Sequence, residues 1–331
     1  MLRTHCRLIV GLMFALWCLA QPETPAKSLA DLREAADARD QTAQFNLGTM
    51  YAKGQGVPRD FAEAAKWYRK AAVQGNVLAQ DHLGFAYDRG NGVPQDYAEA
   101  VKWYRKAADQ GNVSAQLSLG LKYGLGVDVA QDFAESAKWL RKAADQGDAD
   151  AQYMLSLSYN EGNGVPQNYA EAAKWFRKAA DQGNVDAQSN LGTLYYQGNG
   201  VPQDYAEAAK WFRKAADRGE AVAQTNLGLL YYQGNGVPQD YAEAAKWFRK
   251  AADRGEAIAQ FKLAILYQRG EGVLQDYIQA HMWFNLSASR ASGDKRRDYA
   301  NSRDSVATKM TAAQVGEAQR LARDWNPTTQ N

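Results

Sequence analysis

Tryptophan recurs at a fixed interval through most of this chain: Trp67, Trp103, Trp139, Trp175, Trp211, Trp247 and Trp283 stand 36 residues apart. The same spacing carries Leu47, Leu83, Leu119, Leu155, Leu191, Leu227 and Leu263, and Tyr51, Tyr87, Tyr123, Tyr159, Tyr195, Tyr231 and Tyr267. A period of this length marks an array whose units cannot cover their apolar faces alone and do so by stacking on neighbours. It overrides the two domains that 331 residues would otherwise suggest.

Each unit reads as two helices. In the fifth, Ala187, Leu191 and Tyr195 follow the i, i+4, i+8 spacing of one helical stripe, and Gly198 ends it. The loop Gly198-Asn199-Gly200-Val201-Pro202 supplies residues that tolerate positive φ and one that cannot continue a helix. Asp204 is placed to cap the second helix, with Glu207 reaching back to the cap's N–H as in a capping box. The pair recurs as Asp60 with Glu63, Asp96 with Glu99, Asp132 with Glu135, Asn168 with Glu171, Asp240 with Glu243 and, more weakly, Asp276 with Gln279. Ala208, Trp211, Phe212, Ala215 and Ala216 form the apolar face, while Lys210, Arg213 and Lys214 take the polar side toward the C-terminal half, where the dipole favours cations. About three residues separate this helix from the next, so neighbours must run antiparallel.

The ends depart from the pattern. Ser28 to Arg39 reads as half a unit capping the N-terminal edge, and Asp294 to Lys309 and Ala312 to Trp325 as two closing helices, the second capped by Thr311. The third unit lacks the loop proline, and the sequence explains no reason for it. The expected boundaries are therefore 1–20 leader, 21–40 capping half-repeat, 41–292 seven repeats, 293–325 closing helices and 326–331 disordered tail.

The leader is read from Arg3 and Arg7, the apolar run Leu8 to Leu19 and the small-x-small pattern Cys18-Leu19-Ala20, which together make a secretory signal peptide. Twelve residues of helix cover only about 18 Å of a ~30 Å hydrocarbon core, so an uncleaved anchor is disfavoured. Both cysteines, Cys6 and Cys18, lie in that leader, which leaves a mature chain without disulfide, cysteine-bound metal or cysteine nucleophile. Removing Arg3 and Arg7 brings 39 basic residues to 37 against 37 acidic ones, so no global field draws nucleic acid or an anionic membrane.

Catalytic signatures are scarce. His82 and His281 lie five repeats apart and are expected to pack rather than ligate a metal. Gly-x-Gly pairs such as Gly90 with Gly92 follow no strand and precede no Gly-Lys-Ser, so they are turns and not phosphate loops. There is no G-x-S-x-G and no S-x-x-K with K-T-G. The six Lys-Trp pairs are expected to be core packing, not a nucleic-acid platform.

Against these residues a family resemblance becomes specific. The run Ala187-Gln188-Ser189-Asn190-Leu191-Gly192, Tyr195, Gly198-Asn199-Gly200-Val201 and Asp204-Tyr205-Ala206-Glu207-Ala208-Ala209-Lys210-Trp211-Phe212-Arg213-Lys214-Ala215-Ala216 resembles the Sel-one-like repeat family, relatives of the tetratricopeptide repeats. The likeness covers about residues 28 to 290, and the tail from Lys309 to Ala322 looks like the closing segment of bacterial exported members. The resemblance implies an all-α, right-handed α/α superhelix, a solenoid of seven helix-turn-helix repeats with capping helices, serving as an adaptor at the bacterial envelope. It also carries an alternative, since some cysteine-rich members are linked to β-lactam binding or hydrolysis.

Recognition belongs at positions that change between repeats, because the framework must be periodic. On the first helices the constant residues centre near Tyr51 and position 49 points away from them. In tetratricopeptide-like folds the first helices line the concave side. The candidate partner-binding residues are thus Phe85, Leu121, Leu157, Thr193, Leu229 and Ile265, with Tyr153, Tyr196, Tyr232 and Phe261 from adjoining rows. The alternative is that this row packs dry between adjacent first helices. The expectation is a non-enzymatic, monomeric scaffold, periplasmic or secreted, that binds a protein or peptide and uses no cofactor, metal, nucleic acid or membrane insertion. The rival is a hydrolase of β-lactam or cell-wall material.

Overall fold

The computed structural model describes residues 29–127 and 129–327; the leader assigned to 1–20 and the last four residues of the tail lie outside them. All elements among the described residues are α-helices, seventeen in number. They fall into two compact units, residues 1–168 and 169–331.

The first unit holds α1 (Leu29–Asp37), α2 (Gln41–Lys53), α3 (Phe61–Val73), α4 (Val77–Arg89), α5 (Tyr97–Asp109), α6 (Val113–Leu125), α7 (Phe133–Asp145) and α8 (Ala149–Glu161). The second holds α9 (Tyr169–Asp181), α10 (Val185–Gln197), α11 (Tyr205–Asp217), α12 (Ala221–Gln233), α13 (Tyr241–Asp253), α14 (Ala257–Arg269), α15 (Tyr277–Arg290), α16 (Gly293–Ala307) and α17 (Ala312–Asp324). Within each unit the helices pack on the next in chain order, the α/α solenoid pattern, except that α16 and α17 both pack on α15.

Helix boundaries follow local chemistry. Asn184 caps α10 by accepting from the Ala187 N–H at 2.8 Å, and Gly198 closes it with φ 73°. Gly200 has a second reason to be glycine besides its φ of 70°: a Cβ there would lie 2.2 Å from the Tyr169 carbonyl carbon at the start of α9. The loop of one repeat is thereby seated against the second helix of the repeat before it. The third repeat places Asp128 at this position, outside the described residues.

The second helices are capped as expected on one side only. Asp204 accepts from the N–H groups of Ala206 and Glu207 at 2.9 and 3.0 Å. Its own N–H is not held by Glu207, which corrects the capping-box reading: it donates to the Tyr195 carbonyl at 3.0 Å, at the far end of the first helix. Asp60, Asp96, Asp132, Asn168, Asp240 and Asp276 donate to the corresponding tyrosine carbonyls. With the N–H already satisfied, Glu207 turns one helical turn along to Lys210 at 3.0 Å. A reciprocal capping box is present at Thr311 and Gln314.

Buried glutamines join each repeat to the one before. Gln80 Nε2 donates to the Ala72 carbonyl at 3.1 Å, Gln116 to Ala108 at 2.9 Å, and Gln188, Gln224 and Gln260 to Ala180, Ala216 and Ala252 at 3.0 to 3.1 Å. Each adds a second donor to a carbonyl at a second helix's C-terminus that also accepts from the glycine N–H three residues on. Trp211 and Phe212, both 1% exposed, fill the apolar face beside Ala208, Ala215 and Ala216, and Gly192 lets the Phe212 ring approach where a Cβ would stand 2.7 Å from it. The cations on that helix do more than face water: Lys214 lies 4.0 Å from the Trp211 ring, and Arg213 donates to the Tyr231 hydroxyl.

The ends are covered. On α1, Leu32 and Ala36 pack on Ala43 and Leu47, and Arg33 donates to the Tyr51 hydroxyl at 2.9 Å as a second helix would. At the other end α16 and α17 pack on α15, burying Val306 and Ala322, and Trp325 meets Trp283 edge-on at 6.1 Å.

Candidate functional site

Two open clefts lie at corresponding places in the first unit, 72 residues apart in sequence. The first, of about 510 Å³, is bounded by Thr49 and Ala52 on α2, Phe61 and Tyr68 on α3, and Phe85 and Ala86 on α4. The second, of about 410 Å³, is bounded by Leu121 and Gly124 on α6, Phe133 and Leu140 on α7, and Leu157 and Ser158 on α8. Both are apolar hollows in which two successive first helices meet the second helix between them.

Side-chain size at two positions decides where such a hollow opens. Ala52 faces Ala86 in the first cleft and Gly124 faces Ser158 in the second. Between them, at repeats two and three, the equivalent positions hold Asp88 and Lys122, which form a buried ion pair. In the second unit Tyr196 with Leu230 and Tyr232 with Leu266 bring larger side chains to those places. The signal was present in the sequence as small residues at Ala52, Ala86, Gly124 and Ser158 in rows that are otherwise mixed, yet it speaks only when the two positions are known to face each other.

A polar group is enclosed beside the ion pair. Asp81 stands where neighbouring repeats have Phe45 and Leu117, accepts from the Ser114 hydroxyl, and is pushed up to about 7 by burial. The Tyr104 hydroxyl is raised well above its ordinary value, by burial first and by Asp88 and Asp81 next. His82 is lowered to about 4, chiefly by burial; its Nδ1 meets the Leu78 carbonyl at 2.9 Å and its ring packs at 5.2 Å from Phe45 and 5.1 Å from Tyr68. This histidine is a packing element. His281 is likewise buried, on α15.

The proposed partner row divides. Phe85 lines the first cleft and Leu121 and Leu157 the second. Leu121 is 6% exposed, so it is floor and not rim: Gly120 and Gly124 flank it, and without side chains they let its neighbours close over it. Phe85, Tyr153, Leu157, Thr193, Leu229 and Ile265 are half-buried. Tyr196 and Tyr232 lie edge-on to Tyr205 and Tyr241 at 5.3 Å. Phe261 is half-buried, and Tyr299 of the closing helix α16 stacks on it at 4.1 Å.

Among the described residues no three of His, Cys, Asp and Glu gather to hold a metal, and no helix is long and apolar enough to cross a membrane.

Comparison with known proteins agrees with this geometry. The family model described as Sel1 repeat matches residues 41–76, 77–112, 113–148, 149–184, 185–220, 221–256 and 257–292. No curated protein matches. Among solved structures, a Sel1 repeat protein from Oxalobacter formigenes is 38% identical over 82% of this chain and 78% of its own, with a TM-score of 0.63. A protective antigen of uropathogenic Escherichia coli strains, displaying an SLR fold, is 31% identical over 89% of this chain and 85% of its own, with a TM-score of 0.51. The chain belongs to the Sel1 repeat family.

Proposed function

We propose that this chain is an exported, non-catalytic scaffold of a bacterial envelope that holds a protein or peptide partner on the face of its first helices. The observation that carries the reading is the coincidence of two independent features. The positions that vary between repeats are also the ones that line the two apolar clefts, Phe85 in one and Leu157 in the other. Each hollow is apolar and open at the surface, as a pocket for a partner's apolar side chain must be.

The non-catalytic half is supported by what the polar groups already do. The repeated Asp and Glu residues are taken up by helix caps and lysine pairs, and His82 is shut in by rings. Export is supported by Arg3, Arg7 and the apolar run from Leu8 to Leu19.

The test compares partner capture by the exported wild-type chain with capture by Ala86→Leu and Leu157→Asp. Ala86→Leu fills the first cleft without adding charge, and Leu157→Asp places a carboxylate in the second. Loss of one specific partner with both, at unchanged helical content, supports the reading; full capture by both contradicts it. Turnover of a chromogenic β-lactam by the purified chain would contradict the non-catalytic half.

A further inference from the structure

In the second unit, α12 and α14 carry corresponding residues in one row along each helix. Val222 and Ile258, exposed at 48% and 38%, come first; Asn226 and Lys262 follow one turn later, then Leu229 and Ile265. Exposed β-branched residues in matching places on two neighbouring helices form an apolar step that the fold itself leaves uncovered.

Acids, Glu220 and Glu256, stand at the N-terminal ends of the two helices, and cations gather further along α14. Lys262 is half-buried with its Nζ 5.5 Å from the Tyr232 ring, and Arg269, two turns further along α14, donates from Nη1 to the Tyr232 hydroxyl at 3.3 Å. Two cations thus converge on one tyrosine. Arg269 has Glu271 at 3.7 Å, whereas among the described residues no carboxylate is paired with Lys262. Burial, and then the guanidinium of Arg269, hold the Lys262 ammonium below the usual lysine range. A half-buried cation next to another cation is stabilised by an incoming anion. In the corresponding first turn α8 and α10 carry acids, Asp150 and Asp186, where α12 and α14 have Val222 and Ile258.

We infer that this face of α12 and α14 binds a peptide segment in which carboxylates alternate with apolar side chains. A carboxylate sits between Lys262 and Arg269, the Asn226 amide can donate to the peptide backbone, and apolar side chains cover Val222 and Ile258. The apolar step is what selects such a segment over a bare polyanion, which would gain nothing there. The inference rests on the reading of the first-helix face as the partner surface, and it adds the chemistry of the partner.

The test uses the full chain and three fluorescein-labelled hexapeptides, of alternating Glu and Leu, Gln and Leu, and Lys and Leu, followed by fluorescence anisotropy at low salt. Saturable binding of the Glu-Leu peptide is expected, with the Gln-Leu peptide about tenfold weaker and the Lys-Leu peptide weaker still. Lys262→Met keeps the length of the stem and removes the charge, so it should weaken Glu-Leu binding about tenfold and leave Gln-Leu binding unchanged. Val222→Ser should weaken both. Circular dichroism of each variant establishes that it folds. Equal affinity for the Glu-Leu and Gln-Leu peptides, or no effect of Lys262→Met, would overturn the inference. Phe85 and Leu157 lie in the other unit, so variants at Ala86 and Leu157 can fail or succeed independently of this result.

Discussion

Arg177 on α9 donates to the hydroxyl of Tyr195 on α10, with its guanidinium 5.6 Å from the ring centre. The same tyrosine's carbonyl accepts the N–H of Asp204, which caps α11. One residue, by its hydroxyl and its backbone carbonyl, therefore ties three consecutive helices, and Arg105 with Tyr123 and Arg213 with Tyr231 repeat the side-chain link. This explains why tyrosine keeps the period as strictly as tryptophan although its ring is only half-buried. Tyr195→Phe removes the hydroxyl and leaves the ring and the backbone bond. It should cost about 0.5–1.5 kcal/mol in urea unfolding, and Arg177→Met in the same background should add little.

A pairing that changes between the units gives a stabilising substitution. In the first unit Gln110 Nε2 donates to Gln80 Oε1 at 2.8 Å, and Gln146 donates to both Gln116 Oε1 at 2.8 Å and the Gly111 carbonyl at 3.0 Å. In the second unit Arg218, Arg254 and Arg290 take that position, and the Oε1 atoms of Gln188, Gln224 and Gln260 are buried without a protein partner. Arg254 reaches the Gly219 carbonyl alone. Arg254→Gln can make both bonds, so it should raise the unfolding free energy by about 0.5–1.5 kcal/mol. An unchanged midpoint would mean that water already satisfies Gln224.

The enclosed pair Asp81 and His82 gives opposite pH dependences. Asp81 titrates near 7 in the folded chain against about 4 unfolded, so the folded state holds the extra proton and stability from this group is lost as pH rises between those values. His82 titrates near 4 folded against about 6.5 unfolded, so its contribution is lost as pH falls through that range. The two nearly cancel between pH ~4 and ~6.5. Asp81→Asn removes one arm: relative to wild type the variant should be more stable at pH 8 than at pH 5, measured by thermal unfolding. Facing groups that titrate or carry charge here are Tyr104, Asp88, Lys122 and Lys53.

Leu121 and Leu157 occupy the same position in adjacent repeats and should respond differently to aspartate. Leu157 is half-buried at the cleft, so Leu157→Asp should leave the melting temperature within a few degrees of wild type, about 1 kcal/mol or less. Leu121 is buried, and an unpaired carboxylate there should cost at least about 3 kcal/mol. Calorimetry of the two variants separates floor from rim.

The repeat, the helix ends and the buried Trp and Phe faces were legible because each depends on residues a few positions apart. The features that were not legible depend on contacts across helices. The Asp204 N–H could reach Glu207 locally, and only the path of the loop shows that the Tyr195 carbonyl claims it first. Phe261 resembles Phe45 in register, but α16 folds back onto it, and a closing helix carries no periodic signal. The clefts needed the knowledge that Ala52 faces Ala86 and Gly124 faces Ser158, which periodicity along one helix does not contain.

The proposed partner surface is tested most directly by photocrosslinking in the exported chain. A benzoylphenylalanine is placed at Phe85 or Leu157 in the clefts, and at Lys138 on the exposed side of a second helix. The account predicts a discrete adduct of one size from both cleft positions and none from Lys138. Adducts from Lys138 alone, or equally from all three, would contradict it.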